Sequence, residues 1–167
     1  MRIVFDFRVF LQSRPVLGEI LTSRYLVLAM LDNAKAIGNI QCQIEEPVMF
    51  YDTDCGGVVH NLAYLRMVEK CRTILAADLG FDLAAMGESG IFPVIVRTEA
   101  DYRKPGKLGD TLKISGWLEE WGKVKFWCGF TITRESETLI SARQSLALVK
   151  MPEGRVKRLP KKSFQQS

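Results

Sequence analysis

The sequence predicts an α+β domain built from one strand, one long helix and then four strands in an antiparallel meander. Three observations carry this. Apolar and polar residues alternate with period two in several separate segments after residue 39. One stretch alone, residues 61–79, repeats apolar residues at spacings of three and four. After residue 90 no second helical pattern interrupts the strands, and short polar breaks separate them.

Composition narrows the class. A chain of 167 residues holds one domain with a sizeable core, not two. At 47% hydrophobic and 25% charged it is neither disordered nor fibrous. A formal charge of +4 is too modest for the dense basic stripe of a nucleic-acid binder. Cys42, Cys55, Cys71 and Cys128 form no CxxC pair, and His60 is the sole histidine, so no metal centre of the usual kind can be assembled. Such spaced cysteines read as reduced, packed groups, which points to the cytoplasm; Cys55 stands apart because it lies in the loop discussed below. No apolar run approaches the ~18 residues of an integral membrane segment.

In chain order, residues 1–38 read as an N-terminal extension, either disordered or the product of a mis-assigned start with translation from Met30, and carrying at most a short helix at 23–31. Pro15 and Gly18 break anything longer. The main domain is assigned to residues 39–152. In its first strand Ile40, Cys42, Ile44, Val48 and Phe50 fall on one side and Gln41, Gln43 and Glu45 on the other, with an interruption at Glu46. The helix carries Tyr64, Met67, Val68, Cys71, Ile74, Leu75 and Leu79 on its apolar face and Arg66, Glu69, Lys70 and Thr73 opposite. Asn61 suits an N-cap and Gly80 the residue just past the C-terminus. Residues 81–90 read as a connection, and strands are predicted at 92–103, 110–121, 123–134 and 138–151. The basic stretch 153–167 lacks apolar periodicity and reads as a solvated tail, with contact to an anionic partner as the alternative. One helix covers one face of such a sheet and leaves its edges open, so edge-to-edge pairing into at least a dimer is expected.

The chemistry concentrates between the first strand and the helix, in Tyr51-Asp52-Thr53-Asp54-Cys55-Gly56-Gly57-Val58-Val59-His60-Asn61. A carboxylate there sits beside two glycines and the opening N–H groups of a helix, where backbone donors can polarise a carbonyl oxygen. Asp54 is the better candidate of the pair because it adjoins the flexible Cys55-Gly56-Gly57 turn. Taken by itself, it reads as a turn-capping aspartate before it reads as a catalyst.

The string DTDCGGVVHNLAYLRMVEKCR resembles the signature of the hotdog-fold acyl-CoA thioesterases of the 4-hydroxybenzoyl-CoA thioesterase class, which include Tol–Pal-associated bacterial thioesterases. Asp52, Asp54, Gly57, Val58, Val59, Tyr64, Leu65, Glu69 and Arg72 match in type and spacing. Asp101-Tyr102-Arg103-Lys104-Pro105 with Leu108-Gly109-Asp110 is similar to that family's strand and turn after the helix. The resemblance spans about residues 40–152. It implies a hotdog fold, with an antiparallel sheet of about five strands wrapped around one long helix, in a homo-dimer or homo-tetramer whose active sites lie between subunits.

The same resemblance implies hydrolysis of acyl-CoA, with Asp54 as nucleophile or as the base that activates water. It implies a backbone oxyanion donor near Asn61, supported by Gly57, Val58 and His60. Tyr64, Arg103 and Lys104 would meet the substrate, the basic pair together with Lys107 suiting the phosphates of coenzyme A. Coenzyme A is then part of the substrate, with no separate cofactor and no metal. Many relatives carry histidine where this chain has Asn61, so either His60 substitutes from the preceding position or Asn61 orients the thioester. Glu69 and Arg72 read as pairing with each other or with the sheet. The alternative reading is a non-catalytic hotdog module that binds acyl-CoA or acyl carrier protein.

Overall fold

The computed structural model of the protein describes residues 41–161. The expected extension 1–38 with its helix at 23–31, and the last residues of the tail, lie outside the described residues. The described chain runs β1 (Gln41–Pro47), α1 (Asn61–Asp78), α2 (Leu83–Ser89), β2 (Ile91–Tyr102), β3 (Thr111–Trp121), β4 (Lys125–Arg134), β5 (Glu137–Lys150) and β6 (Arg155–Lys157). The strands form one antiparallel sheet in the order β1-β3-β4-β5-β2, with β6 added beside the end of β5. This is the hotdog arrangement, a sheet curled around α1, and the five-strand path matches the expected number before β6 extends it. Among the described residues no helix is long and apolar enough to cross a membrane.

Alternation decides what the sheet buries. Leu112, Ile114 and Leu118 of β3, Phe126, Cys128, Phe130 and Ile132 of β4, and Ile140, Ala142 and Leu146 of β5 point inward onto Ala63, Tyr64, Met67, Val68, Cys71 and Leu75 of α1. Each fully buried Leu, Ile or Phe contributes about 1.5–3 kcal/mol relative to exposure. Gly116, an inward position of β3, sets how closely the helix approaches. A Cβ there would lie 2.9 Å from the Phe130 ring and 3.0 Å from Cys71 Sγ.

Several expectations are corrected. The N-cap of α1 is His60, not Asn61: His60 has extended backbone and its Nδ1 accepts the Ala63 amide at 3.1 Å. The far end follows the expected pattern, because Gly80 has φ 81°, its N–H donates to Ala77 O and the Phe81 N–H to Ala76 O, both at 2.9 Å. Ile74, on the flank of the apolar stripe, remains exposed where the sheet does not reach it. Phe50 leaves the strand for a single 3-10 turn, Phe50–Asp52, and is 81% exposed.

Glu46 does not interrupt β1. It occupies an inward position that is buried because Arg66 and Lys70 of α1 neutralise it, at 3.4 and 2.7 Å. Within the expected connection 81–90 stands a two-turn helix, α2, capped by Asp82, whose Oδ1 accepts the Ala84 and Ala85 amides at 2.6 and 3.2 Å, and ended by Gly90 at φ 61°. The start of the tail is folded although its β6 side chains are exposed: β6 pairs with β5, Leu159 is buried, and Pro160 O accepts the Trp121 indole N–H at 3.0 Å.

Candidate active site

The loop between β1 and α1 folds back on itself as a small hairpin. Thr53 bridges Val59, the Asp54 N–H donates to Val58 O at 2.9 Å, the Gly57 N–H to Asp54 O at 3.0 Å, and the His60 N–H to Asp52 O at 2.9 Å. Gly57, at φ 73°, takes the left-handed corner that an L side chain would resist. The first turn of α1 therefore begins beside the strand that carries both aspartates.

The two carboxylates have opposite surroundings. Asp52 is 1% exposed and accepts the Met49 N–H at 3.0 Å and Arg66 Nη2 at 3.1 Å. Burial lowers the Arg66 guanidinium, but the Asp52 and Glu46 carboxylates outweigh it and hold it above its ordinary value. Asp54 is exposed. Its Oδ1 accepts the Gly56 N–H at 2.8 Å and the Val58 N–H at 3.5 Å, while Oδ2 has no hydrogen bond to a described residue. One oxygen caps the turn and the other faces outward, so the capping and catalytic readings are compatible.

The amides at the helix start are mostly claimed. The Ala63 N–H goes to His60, the Leu62 N–H to Asn61 Oδ1 at 2.9 Å, and the Val59 N–H to Gly106 O at 2.9 Å. The Asn61 N–H has no acceptor among the described residues, and it is aligned with the helix dipole. Because His60 Nδ1 accepts, the neutral imidazole carries its proton on Nε2.

A second loop backs the first. Gly106 donates its N–H to the Tyr64 hydroxyl at 2.6 Å, and Val58 bridges Lys107. Asp110 ties that loop down by accepting the Lys107 N–H at 2.9 Å and Arg134 Nη1 at 2.8 Å. Tyr64, expected at the substrate, is 3% exposed in the single chain and its hydroxyl accepts the Gly106 N–H beneath the loop. Burial chiefly pushes its phenol above the ordinary value. Arg103, Lys104 and Lys107 are exposed, but Lys104 is paired with Glu137, and Lys107 is the one in the ladder with the Asp54 loop.

Arg72 pairs with Glu69 at 3.2 Å and donates to Gln144 Oε1 of β5 at 2.6 Å, so it joins helix to sheet as expected. An apolar cavity of about 190 Å³, lined by residues that include Arg72, Leu75, Leu79, Phe92, Phe126 and Leu146, opens along the C-terminal half of α1. It starts three helical turns, roughly 16 Å, from Asn61. The Glu46–Arg66–Lys70–Asp52 cluster was not anticipated. Its sequence signal was an acidic residue at an inward strand position together with two cations one helical turn apart.

Comparisons with known proteins agree with the fold. The sequence model of the family described as the Thioesterase-like superfamily matches residues 48–166. An acyl-CoA thioesterase of Haemophilus influenzae is 35% identical over 74 residues, 44% of this chain and 54% of that protein. A 1,4-dihydroxy-2-naphthoyl-CoA hydrolase of Synechococcus elongatus is 25% identical over 103 residues, 60% of this chain and 76% of its own. The solved structure of a probable thioesterase from Bartonella henselae superposes with a TM-score of 0.67 at 25% identity, covering 72% of this chain and 99% of that one.

Proposed function

Because this chain belongs to the thioesterase-like superfamily, we propose that it is an acyl-CoA thioesterase that works through Asp54 at an interface between two copies of itself. The observation that carries the reading is the pairing of an outward carboxylate oxygen on Asp54 with the unclaimed Asn61 N–H at the start of α1. Asp54 accepts a proton from the attacking water, or attacks the thioester carbonyl itself. The Asn61 amide receives the negative charge that develops on the carbonyl oxygen only as it becomes tetrahedral. The C–S bond breaks, the acyl group leaves as a carboxylate and coenzyme A as its thiol.

His60, with Nε2–H outward, is a donor beside the reacting centre, and its Nδ1 fixes the first turn. Arg103 and Lys107 suit the coenzyme A phosphates. Two features support a second copy at the site. Met49, Phe50, Tyr51, Leu62 and Leu108 make an exposed apolar rim around the loop. The outer edge of β2, with Val94, Ile95 and Val96 exposed, has no neighbouring strand among the described residues.

Hydrolysis of a panel of short, long and aromatic acyl-CoAs by wild type and Asp54→Asn tests the proposal. Asp54→Asn is expected to retain the fold and lose on the order of 10²–10⁴ in kcat. Equal turnover by the two proteins would overturn the assignment.

A further inference from the structure

Cys42 and Cys71 are 29 positions apart in the chain, yet their Sγ atoms lie 2.7 Å from each other. Cys42 is an inward residue of β1, paired in register with Gly116 of β3, and Cys71 is fully buried on α1. The missing side chain at Gly116 leaves the two sulfurs room to meet. Closing them to the ~2.05 Å of a covalent bond requires a shift of only about 0.7 Å. The site is also reachable, because Cys42 is half-buried at the floor of a surface cavity of about 290 Å³ that it lines with Gln41, Gln43, Ser115, Gly116 and Trp117.

We propose that Cys42 and Cys71 form a redox-active dithiol that a peroxide converts to a disulfide, tying edge strand β1 to helix α1 across the segment that carries Asp54. Nothing in the thioesterase reading uses either sulfur, so this inference stands or falls independently of it.

The roles follow from surroundings. The hydrogen bond from Cys71 chiefly holds the Cys42 thiol below its ordinary value, against the opposing effect of burial. The same hydrogen bond, with burial, pushes Cys71 up. Cys42 is also the sulfur that lines the surface cavity, whereas Cys71 is buried, so Cys42 is the attacking group and Cys71 the resolving one. The Cys42 thiolate attacks one peroxide oxygen, the O–O bond breaks, and hydroxide leaves, giving a sulfenic acid. Cys71 Sγ then attacks Cys42 Sγ, the S–S bond forms, and the hydroxyl departs with the Cys71 proton as water. Two thiols and one peroxide become one disulfide and two waters, two electrons passing from sulfur to oxygen.

The test uses the full chain. It is treated with hydrogen peroxide, its remaining thiols are blocked with N-ethylmaleimide, and it is digested without reductant for mass spectrometry. Expected is a Cys42–Cys71 peptide pair, two hydrogens lighter than its parts and abolished by dithiothreitol. A thermal midpoint raised by about 5–10 °C should accompany it, because the cross-link restricts the unfolded chain. Cys42→Ser should show neither effect. Cys71→Ser should leave Cys42 as a sulfenic acid that dimedone traps. Should Cys71→Ser fail to fold, the wild-type peptide map still decides. Products joined only through the exposed Cys55, or Cys42 carried to sulfinic acid while Cys71 stays open to alkylation, would overturn the proposal.

Discussion

Arg66 Nη2 lies 3.1 Å from Oδ1 of Asp52, joining the loop's anchor to the second turn of α1, while the other Asp52 oxygen holds the Met49 amide at 3.0 Å. The first carboxylate of the Asp-x-Asp pair is thus spent on holding the stem from which the second projects. A buried carboxylate is tolerated only with its partners in place, so the pair is a constraint on loop geometry more than a source of net stability.

Removing the guanidinium should therefore be costly. Arg66→Met is expected to lower stability by about 2–4 kcal/mol, because Asp52 keeps one amide as its partner. Asp52→Asn should cost about 1–2 kcal/mol, since it sets an N–H donor against one of two donors. Urea unfolding at neutral pH measures both, and an unchanged midpoint for Arg66→Met would contradict the role assigned here.

Asn61→Pro separates backbone from side chain. Residue 61 is the first of α1, its N–H has no acceptor among the described residues, and His60 before it is extended at φ −75°, ψ 155°. Proline fits that position and its predecessor. The variant should fold with a near-normal circular dichroism spectrum and lose roughly 10²–10³ in kcat, the usual effect of deleting an oxyanion donor. Asn61→Ala, which keeps the N–H, should lose far less.

Tyr64→Phe deletes the acceptor of the buried Gly106 N–H. A cost of about 1–3 kcal/mol is expected from the unsatisfied donor. Since Gly106 also accepts from Val59, loosening it should disturb the Asp54 loop, and kcat/KM should fall together with the urea midpoint.

Acid stability should depend on Asp110. Burial alone would raise its carboxyl, but the Lys107 amide and the Arg134 guanidinium outweigh burial and hold it below the ordinary 3.8. Half-buried Glu137, held low by Lys104 and Arg134, acts in the same direction. A depressed folded value means that the stabilisation is present above the unfolded value and is lost as pH falls through the folded one. Asp110→Asn should consequently be less stable than wild type above about pH 5, with the difference vanishing near pH 2. A difference that grew on acidification would reverse the sign and refute the account.

The order of one strand, one long helix and four strands was legible because local periodicity reports it, but the four-strand meander is corrected. Only β3, β4 and β5 run as one, and β2 pairs with β5 instead of β3, a long-range choice that periodicity does not encode. The third of the four strands is read from Phe126, Cys128, Phe130 and Ile132, and those are the residues that face α1. Two-turn α2 was not legible, since seven residues with Gly87 among them give too few periods to detect, although Asp82 and Gly90 marked its ends. Glu46 misled the reading for a different reason. Its charge looked like a break in β1 because the two cations that neutralise it lie 20 and 24 positions away.

By itself the sequence determined the fold class and singled out the stretch that carries the candidate site, because side-chain alternation and a glycine-bearing turn before a helix are properties of neighbouring residues. Only the tertiary structure decided which aspartate is buried and which looks outward, that the Tyr64 hydroxyl meets the Gly106 amide, and that Cys42 meets Cys71. Those outcomes depend on which distant groups the folded sheet brings within hydrogen-bonding distance, and no spacing along a chain encodes that.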